Sequence, residues 1–328
     1  MSVDSQILKA FRDVGDGSVS GADLSTRLGI SRAAVWSRIN DLRSLGYEIE
    51  ASPHLGYRLT KTPDILHADE LSAGLGRTRS IGRDVRVFNE TTSTNDVVEK
   101  LARDGVKEGV VVFAESQTRG RGRLGRKWVS PARKGLWMSI LLRPKIKPLE
   151  TTRITVASAI AVRRAIQQVT TLKAQVKWPN DILINGKKVA GILTELAAEP
   201  DCVKYLVLGI GVDVNLNASD FPADLRKTAT SLKAELGRAV SRTTLAVEIL
   251  RQLDEDYHRA ISGQFGKVAD EWEEYCSTIG QRITIRTGQR EIEGRAESLA
   301  EDGALLLRTD HGHLERIVGG DVSITVPR

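Results

Sequence analysis

Apolar positions recur at helical spacing near the start of the chain, at Ile7, Leu8, Phe11 and Val14. Residues 20–29 read as a second helix, opened by Ser20 and ended by Gly29. Ser31 can cap a third helix that runs to Leu45 and stops at Gly46. Its buried stripe is Val35, Ile39 and Leu42, with Ala33, Ser37, Asn40 and Ser44 opposite. Residues 47–51 and 56–59, joined by Ser-Pro-His-Leu, read as a hairpin. This order predicts a winged helix-turn-helix over residues 1–62, with Arg32, Trp36, Ser37 and Arg38 as candidate DNA contacts. Over residues 1–60 the charges balance, so the electrostatic footprint is weak and a three-helix interaction module also fits.

After a linker at 61–66, a larger unit is expected over residues 67–275. The pattern predicts strands at 85–88, 110–114, 135–143 and 205–215, and helices at 97–102, 152–168, 243–261 and 265–275. Ser93 or Thr94 can cap the first of these helices and turn its amides toward a polar ligand. Apolar runs at 182–184 and 188–196 flank Asn185-Gly186, a strong hairpin signal. Residues 221–236 read as a loop with a short helix. From Cys276 the spacing changes to short strands separated by turns, the last at 322–326, which predicts a small SH3-like barrel over 276–328. The fold class is thus multidomain α/β: winged helix-turn-helix, central α+β domain with a mixed sheet, and C-terminal barrel.

Charge singles out one stretch, Gln117-Thr-Arg-Gly-Arg-Gly-Arg-Leu-Gly-Arg-Lys-Trp128, which follows a buried strand. No Asp or Glu occurs from Ser116 to Leu149. Glycines let the backbone approach a ligand, and arginines offer forked donors to phosphate or carboxylate. A solvated basic loop or a nucleic-acid arm fits the composition equally well. The formal charge of +6 over 328 residues favours an anionic partner. No apolar run is long enough for a membrane span, and the N-terminus lacks the pattern of a signal peptide, so a cytoplasmic location is expected. Cys202 and Cys276 are too few and too far apart for a metal site, and His311 and His313 fall in a surface turn, so no protein-held metal is expected. A phosphate-binding P-loop is absent, and Gly120-Arg-Gly-Arg-Leu-Gly125 leads into a strand rather than a dinucleotide-binding helix.

Ser93-Thr-Asn95, the basic stretch, Lys177-Trp-Pro-Asn-Asp181, Lys188-Val-Ala-Gly-Ile-Leu-Thr-Glu-Leu196 and Gly209-Ile-Gly211 together resemble the bifunctional biotin–protein ligases that also repress biotin-synthesis genes. The resemblance covers the whole chain. It implies ATP-dependent formation of biotinyl-5′-AMP, with Mg²⁺ accompanying ATP. The biotinyl group then passes to a lysine of the biotin carboxyl carrier protein, an acetyl-CoA carboxylase subunit. It also implies operator binding by an adenylate-bound homodimer. By the same resemblance Ser93, Thr94, Asn95, Gln117, Gly120, Arg121, Gly122, Arg123, Lys188, Gly191, Gly209 and Gly211 would hold biotin. Arg121, Arg123, Trp128, Lys177, Asn180, Lys188 and Asn215 would hold the nucleotide. Arg123 and Lys188 would stabilise the charge at phosphorus, and Asp181 would orient or deprotonate the acceptor lysine. Two departures stand out. Asp213 occupies a position where family strands commonly carry Asn, and residues 221–236 lack the tryptophan that some members stack on adenine. Octanoyl transfer on the same fold needs a cysteine nucleophile, and both cysteines lie outside every motif.

Overall fold

The computed structural model describes residues 2–53 and 55–324. His54 of the expected hairpin turn, and Thr325 and Val326 of the expected last strand, lie outside the described residues. The chain divides into two compact units, residues 1–77 and 78–328.

In the first unit, α1 (Val3–Val14), α2 (Gly21–Leu28) and α3 (Arg32–Ser44) are each opened by a serine whose hydroxyl accepts a backbone N–H: Ser2 from Ser5, Ser20 from Ala22, Ser31 from Ala34. Gly29 ends α2 in the left-handed region at φ 65°. Ile7, Leu8, Phe11, Leu24, Val35, Ile39 and Leu42 form the core, so the expected buried stripe of α3 is the observed one. The antiparallel hairpin β1 (Glu48–Ser52) and β2 (Gly56–Lys61) follows. Residues 67–75, assigned from the sequence to the larger domain, contribute α4 (Ala68–Leu75) to this first unit. Glu70 on α4 is buried and accepts hydrogen bonds from Tyr47 Oη (2.8 Å) and Arg12 Nη2 (3.0 Å). These polar ties hold a helix whose attachment hydrophobic spacing alone does not reveal.

The second unit is built on a seven-stranded mixed sheet with order β3-β4-β5-β9-β8-β7-β6. Its strands are β3 (Asp84–Thr91), β4 (Val110–Gln117), β5 (Leu136–Leu142), β6 (Gln175–Lys177), β7 (Asp181–Ile184), β8 (Lys187–Ala198) and β9 (Val203–Val212). β3 and β4 run parallel and the other pairs antiparallel. α5 (Thr94–Arg103) packs Val98 and Ala102 onto Val110, Val112, Leu141 and Val207. α6 (Thr152–Thr170), α8 (Arg242–Ile261) and α9 (Phe265–Tyr275) pack on one another, and the short α7 (Leu232–Leu236) lies in the expected loop. β7 and β8 turn at Asn185 (φ 50°) and Gly186 (φ 75°), the pair of positive φ values that an Asn-Gly hairpin requires.

The C-terminal strands β10 (Arg282–Thr287), β11 (Arg290–Leu299), β12 (Leu305–Thr309), β13 (Leu314–Ile317) and β14 (Asp321–Ile324) form one antiparallel sheet, in the order β13-β12-β11-β10-β14. The strands are those expected. Closure into a barrel is not seen among the described residues, where β13 and β14 are the two edges. No helix among the described residues is long and apolar enough to cross a membrane.

Candidate active site

The basic flap is a compact loop pinned at its root. Thr118 and Arg119 donate backbone N–H groups to the carbonyls of Thr91 and Thr92, and Trp128 N–H donates to Gly120 O at 2.9 Å. Within the flap, Gly122 N–H donates to Arg126 O at 2.7 Å. A Cβ on Gly120 would lie 2.4 Å from Trp128 O, so only glycine lets the two flap arms pass.

The flap closes over a cavity of about 540 Å³. Ser93, Thr94, Asn95, Gln117, Arg121, Gly122, Arg123, Trp128, Lys177, Asn180, Asp181, Lys188, Gly191, Gly209 and Gly211 all line it, so flap and Lys188 hairpin share one space. Gly120, where the flap arms cross, and Asn215 are both off the wall. The Asn215 side chain is taken up by the backbone of Val240, donating to its carbonyl (2.9 Å) and accepting from its N–H (3.0 Å).

At one end of the cavity the walls are small and polar. Ser93 occupies the cap position of α5, yet its hydroxyl makes no capping bond. The open N–H of Thr94 donates to Gln117 Oε1 at 2.8 Å. Ser139 Oγ donates to Asn95 Oδ1 at 2.5 Å, and Asn95 Nδ2 donates to Glu195 Oε2 at 2.6 Å. Gly209 faces this group so closely that a Cβ there would sit 2.4 Å from Asn95 Oδ1. The floor is formed by Gly191 and Gly211, on which the Trp128 indole lies. A Cβ at Gly211 would come within 2.7 Å of that ring.

The two flap arginines differ. Arg121 Nη1 meets Asp96 at 2.6 Å, and Arg121 Nη2 meets Glu195 at 3.4 Å. Burial lowers its pKa, but these carboxylates more than offset that and the net shift is upward. Arg123 donates to Asn180 Oδ1 at 3.3 Å and has no salt bridge to a carboxylate among the described residues. Burial pulls its pKa down, against the fields of Asp181 and Asp321. Lys188 Nζ pairs with Asp181 Oδ1 at 2.5 Å and lies 5.1 Å from the centroid of the Trp128 ring. A second wall comes from Asp213, Phe221, Leu225, Thr228 and Ala229. Gly320, Asp321 and Val322 of the C-terminal domain also reach the cavity, and Asp321 pairs with Arg126 of the flap.

Three family models match this chain: an HTH domain over residues 4–58, the biotin/lipoate A/B protein ligase family over 87–213, and a biotin protein ligase C-terminal domain over 278–324. The bifunctional ligase/repressor BirA of Bacillus subtilis is 38% identical over 318 residues, spanning 97% of each chain. The chain belongs to the bifunctional biotin–protein ligase/repressor family. The Escherichia coli BirA is 30% identical over 306 residues, spanning 93% of this chain and 92% of that one. A solved biotin protein ligase from Aquifex aeolicus, in complex with biotin and ATP, superposes with a TM-score of 0.63. It is 29% identical and covers 74% of this chain and 99% of its own.

For this member of the ligase family, Asp96, Glu195 and Ser139 are cavity-side partners that sequence reading missed. The chain gives little signal for them: Asp96 sits in an ordinary helix first turn, and Glu195 reads as one polar position of a strand. In the first unit, Arg32, Trp36, Ser37 and Arg38 all lie on α3 and are exposed, Trp36 at 59%. Arg38 is shared between Asp41 (3.6 Å) and Asp4 (3.9 Å).

Proposed function

We propose that this chain is an ATP-dependent biotin–protein ligase and a ligand-controlled repressor of biotin-synthesis genes. The observation that carries the reading is the single cavity holding small polar groups at one end and the cations Arg123 and Lys188 beside it. Biotin is a neutral bicycle with a carboxylate tail. Ser93, Thr94, Asn95 and Gln117 offer the directed hydrogen bonds its ureido group needs, over a floor of glycine and indole. The tail then lies toward Arg121, Arg123 and Lys188.

The first step is attack of the biotin carboxylate on the α-phosphorus of ATP, with pyrophosphate leaving. The nucleophile is already an anion, so the protein needs no activated serine or cysteine. It must hold two anions together and stabilise the charge on the phosphoryl oxygens. Arg123 suits this: it is half-buried, and its guanidinium is in no salt bridge to a carboxylate among the described residues. Lys188 can turn from Asp181 to the ligand phosphate, with Lys177 and Asn180 on the same wall. Mg²⁺ would accompany ATP, held largely by its phosphates, and would add to the charge neutralisation that Arg123 and Lys188 supply.

In the second step the acceptor lysine's amine attacks the biotinyl carbonyl and AMP leaves. Asp181, freed when Lys188 turns to phosphate, is placed to orient that amine and take its proton. The acceptor is the lysine of a biotin carboxyl carrier protein. The exposed face of α3 supplies the operator contacts, and the adenylate-bound homodimer places two such helices on a palindrome. Cys202 and Cys276 are off the cavity wall, which disfavours acyl transfer through a cysteine. Pyrophosphate release with biotin and ATP tests the enzyme reading. The ligase releases it at a rate set by biotin; a protein that only senses biotin releases none.

A further inference from the structure

β5 is apolar at every position except Ser139, and Ser139 is fully buried. A hydroxyl in that place must be hydrogen-bonded or it costs stability. Its Oγ lies 2.5 Å from Asn95 Oδ1 and 2.6 Å from Thr94 Oγ1, both in the first turn of α5. Asn95 Nδ2 in turn lies 2.6 Å from Glu195 Oε2 on β8. Thr94 and Asn95 face the cavity, whereas Ser139 and Glu195 are not on its wall. Glu195 therefore acts on the biotin end through Asn95.

These four groups form a chain whose direction one member decides. A carboxylate accepts and cannot donate, so Asn95 must turn its NH₂ toward Glu195. Its Oδ1 then faces Ser139 and takes the only proton that hydroxyl has. With that proton used, Ser139 can only accept from the hydroxyl of Thr94. Gln117 does not reverse this, because its Oε1 is already the acceptor for the Thr94 backbone N–H at 2.8 Å and lies farther from Thr94 Oγ1, at 3.2 Å. What remains for a ligand is a lone pair on Thr94 and the second N–H of Asn95, one acceptor and one donor. Without the Glu195 oxygen the chain can run the other way, from Asn95 Nδ2 to Ser139, from Ser139 to Thr94, and from Thr94 to Gln117. Asn95 then shows the ligand an oxygen where it showed an N–H. A ureido group carries N–H donors beside a carbonyl acceptor, so it fits the first direction and not the second.

We propose that Glu195 is a positioning residue for biotin: without touching the ligand, it fixes the direction of the Thr94–Ser139–Asn95 chain, so that Asn95 offers an N–H to the ureido oxygen. This inference rests on the ligase reading. The role is separate from the ion pair with Arg121 Nη2 at 3.4 Å. That pair needs the charge of Glu195, whereas Asn95 needs only an acceptor oxygen.

The test is titration calorimetry of the full chain with biotin and with an analogue carrying sulfur, a weaker acceptor, in place of the ureido oxygen. The wild type is expected to prefer biotin about tenfold, the worth of one hydrogen bond. Glu195→Ala should lose biotin affinity about tenfold or more, and its preference for oxygen over sulfur should fall toward one. Glu195→Gln keeps an oxygen of the same reach without the charge, and should hold both affinity and preference close to wild type. A mere loosening of the site would weaken both ligands alike and leave the preference unchanged. An unchanged preference in Glu195→Ala would therefore overturn the proposal. So would a Glu195→Gln variant as impaired as Glu195→Ala, which would assign the effect to the Arg121 ion pair. If either result comes while the wild type still releases pyrophosphate with biotin and ATP, the ligase reading stands and only the Glu195 role falls. A wild type that binds no biotin and releases no pyrophosphate would sink both.

Discussion

At the scale of single residues, the cavity is set by what is missing from side chains as much as by what is present. Gly209 has room for no Cβ, because Asn95 Oδ1 would be 2.4 Å away and that oxygen is already the acceptor for Ser139. Gly209→Ala should displace Asn95 and weaken biotin binding about tenfold or more, with a stability loss of about 1–3 kcal/mol. Calorimetry with biotin, beside a denaturation curve, separates the two effects. Unchanged biotin affinity would mean Asn95 does not face the ligand. Asp181→Asn should form adenylate near the wild-type rate but transfer it slowly to the carrier lysine; single-turnover measurements of each step check this. That Gly122, Gly191, Gly209, Gly211 and Lys188 face one cavity was legible because they stand in contiguous motifs, whereas Gly120 in the same stretch is off the wall. Asp96 and Glu195 were not, since a salt bridge between a loop arginine and residues 25 and 74 positions away leaves no local pattern.

At the scale of elements, the flap is a lid with two kinds of arginine. Arg121 ties it to α5 and β8 through Asp96 and Glu195, and Arg123 faces the cavity. Arg123→Gly should release biotinyl-AMP and label bystander lysines at random. Asp96→Ala should loosen the lid and increase leakage, with a smaller loss of adenylation than Arg123→Gly. Mass spectrometry of an added inert protein reports both, and confined labelling in both variants would rule out a retaining lid. The long periodic helices were the most readable elements: α9 spans residues 265–275, as the spacing predicts. α5 starts three residues earlier than its apolar pattern, at Thr94, because its first turn is fixed by Gln117 and Ser139 rather than by hydrophobic burial.

At the scale of the molecule, distant segments converge on one chemistry, and one buried charge cluster sits in the helical layer of the second unit. Asp256 on α8 is fully buried, accepting from Arg164 (3.2 Å) and Arg259 (3.0 Å), yet burial outweighs both cations and pushes its pKa up to about 6. The folded state therefore binds more protons than the unfolded one between about pH 4 and 6, and this group's contribution to stability falls as pH rises through that window. Asp256→Asn should flatten that part of the stability–pH curve relative to wild type, as read by thermal denaturation. Parallel curves would refute the assignment. The three-part organisation was legible from changes in hydrophobic period. The attachment of α4 to the first unit was not, because polar bonds such as Tyr47–Glu70, which leave no hydrophobic period, contribute to it beside the packing of Ala73. Nor was the arrival of residues 320–322 at the cavity, more than a hundred positions beyond Asp213 in the chain.

The central claim is that a flap of arginine and glycine, facing Lys188 across one cavity, activates biotin on ATP for transfer to a lysine. The most direct measurement is intact-mass analysis of a biotin carrier domain after incubation with this chain, biotin, ATP and Mg²⁺. The account predicts addition of a single biotinyl group, lost when the carrier's acceptor lysine is replaced by arginine and strongly reduced by Lys188→Ala. An unmodified carrier, in a preparation that binds biotin and ATP, would contradict it.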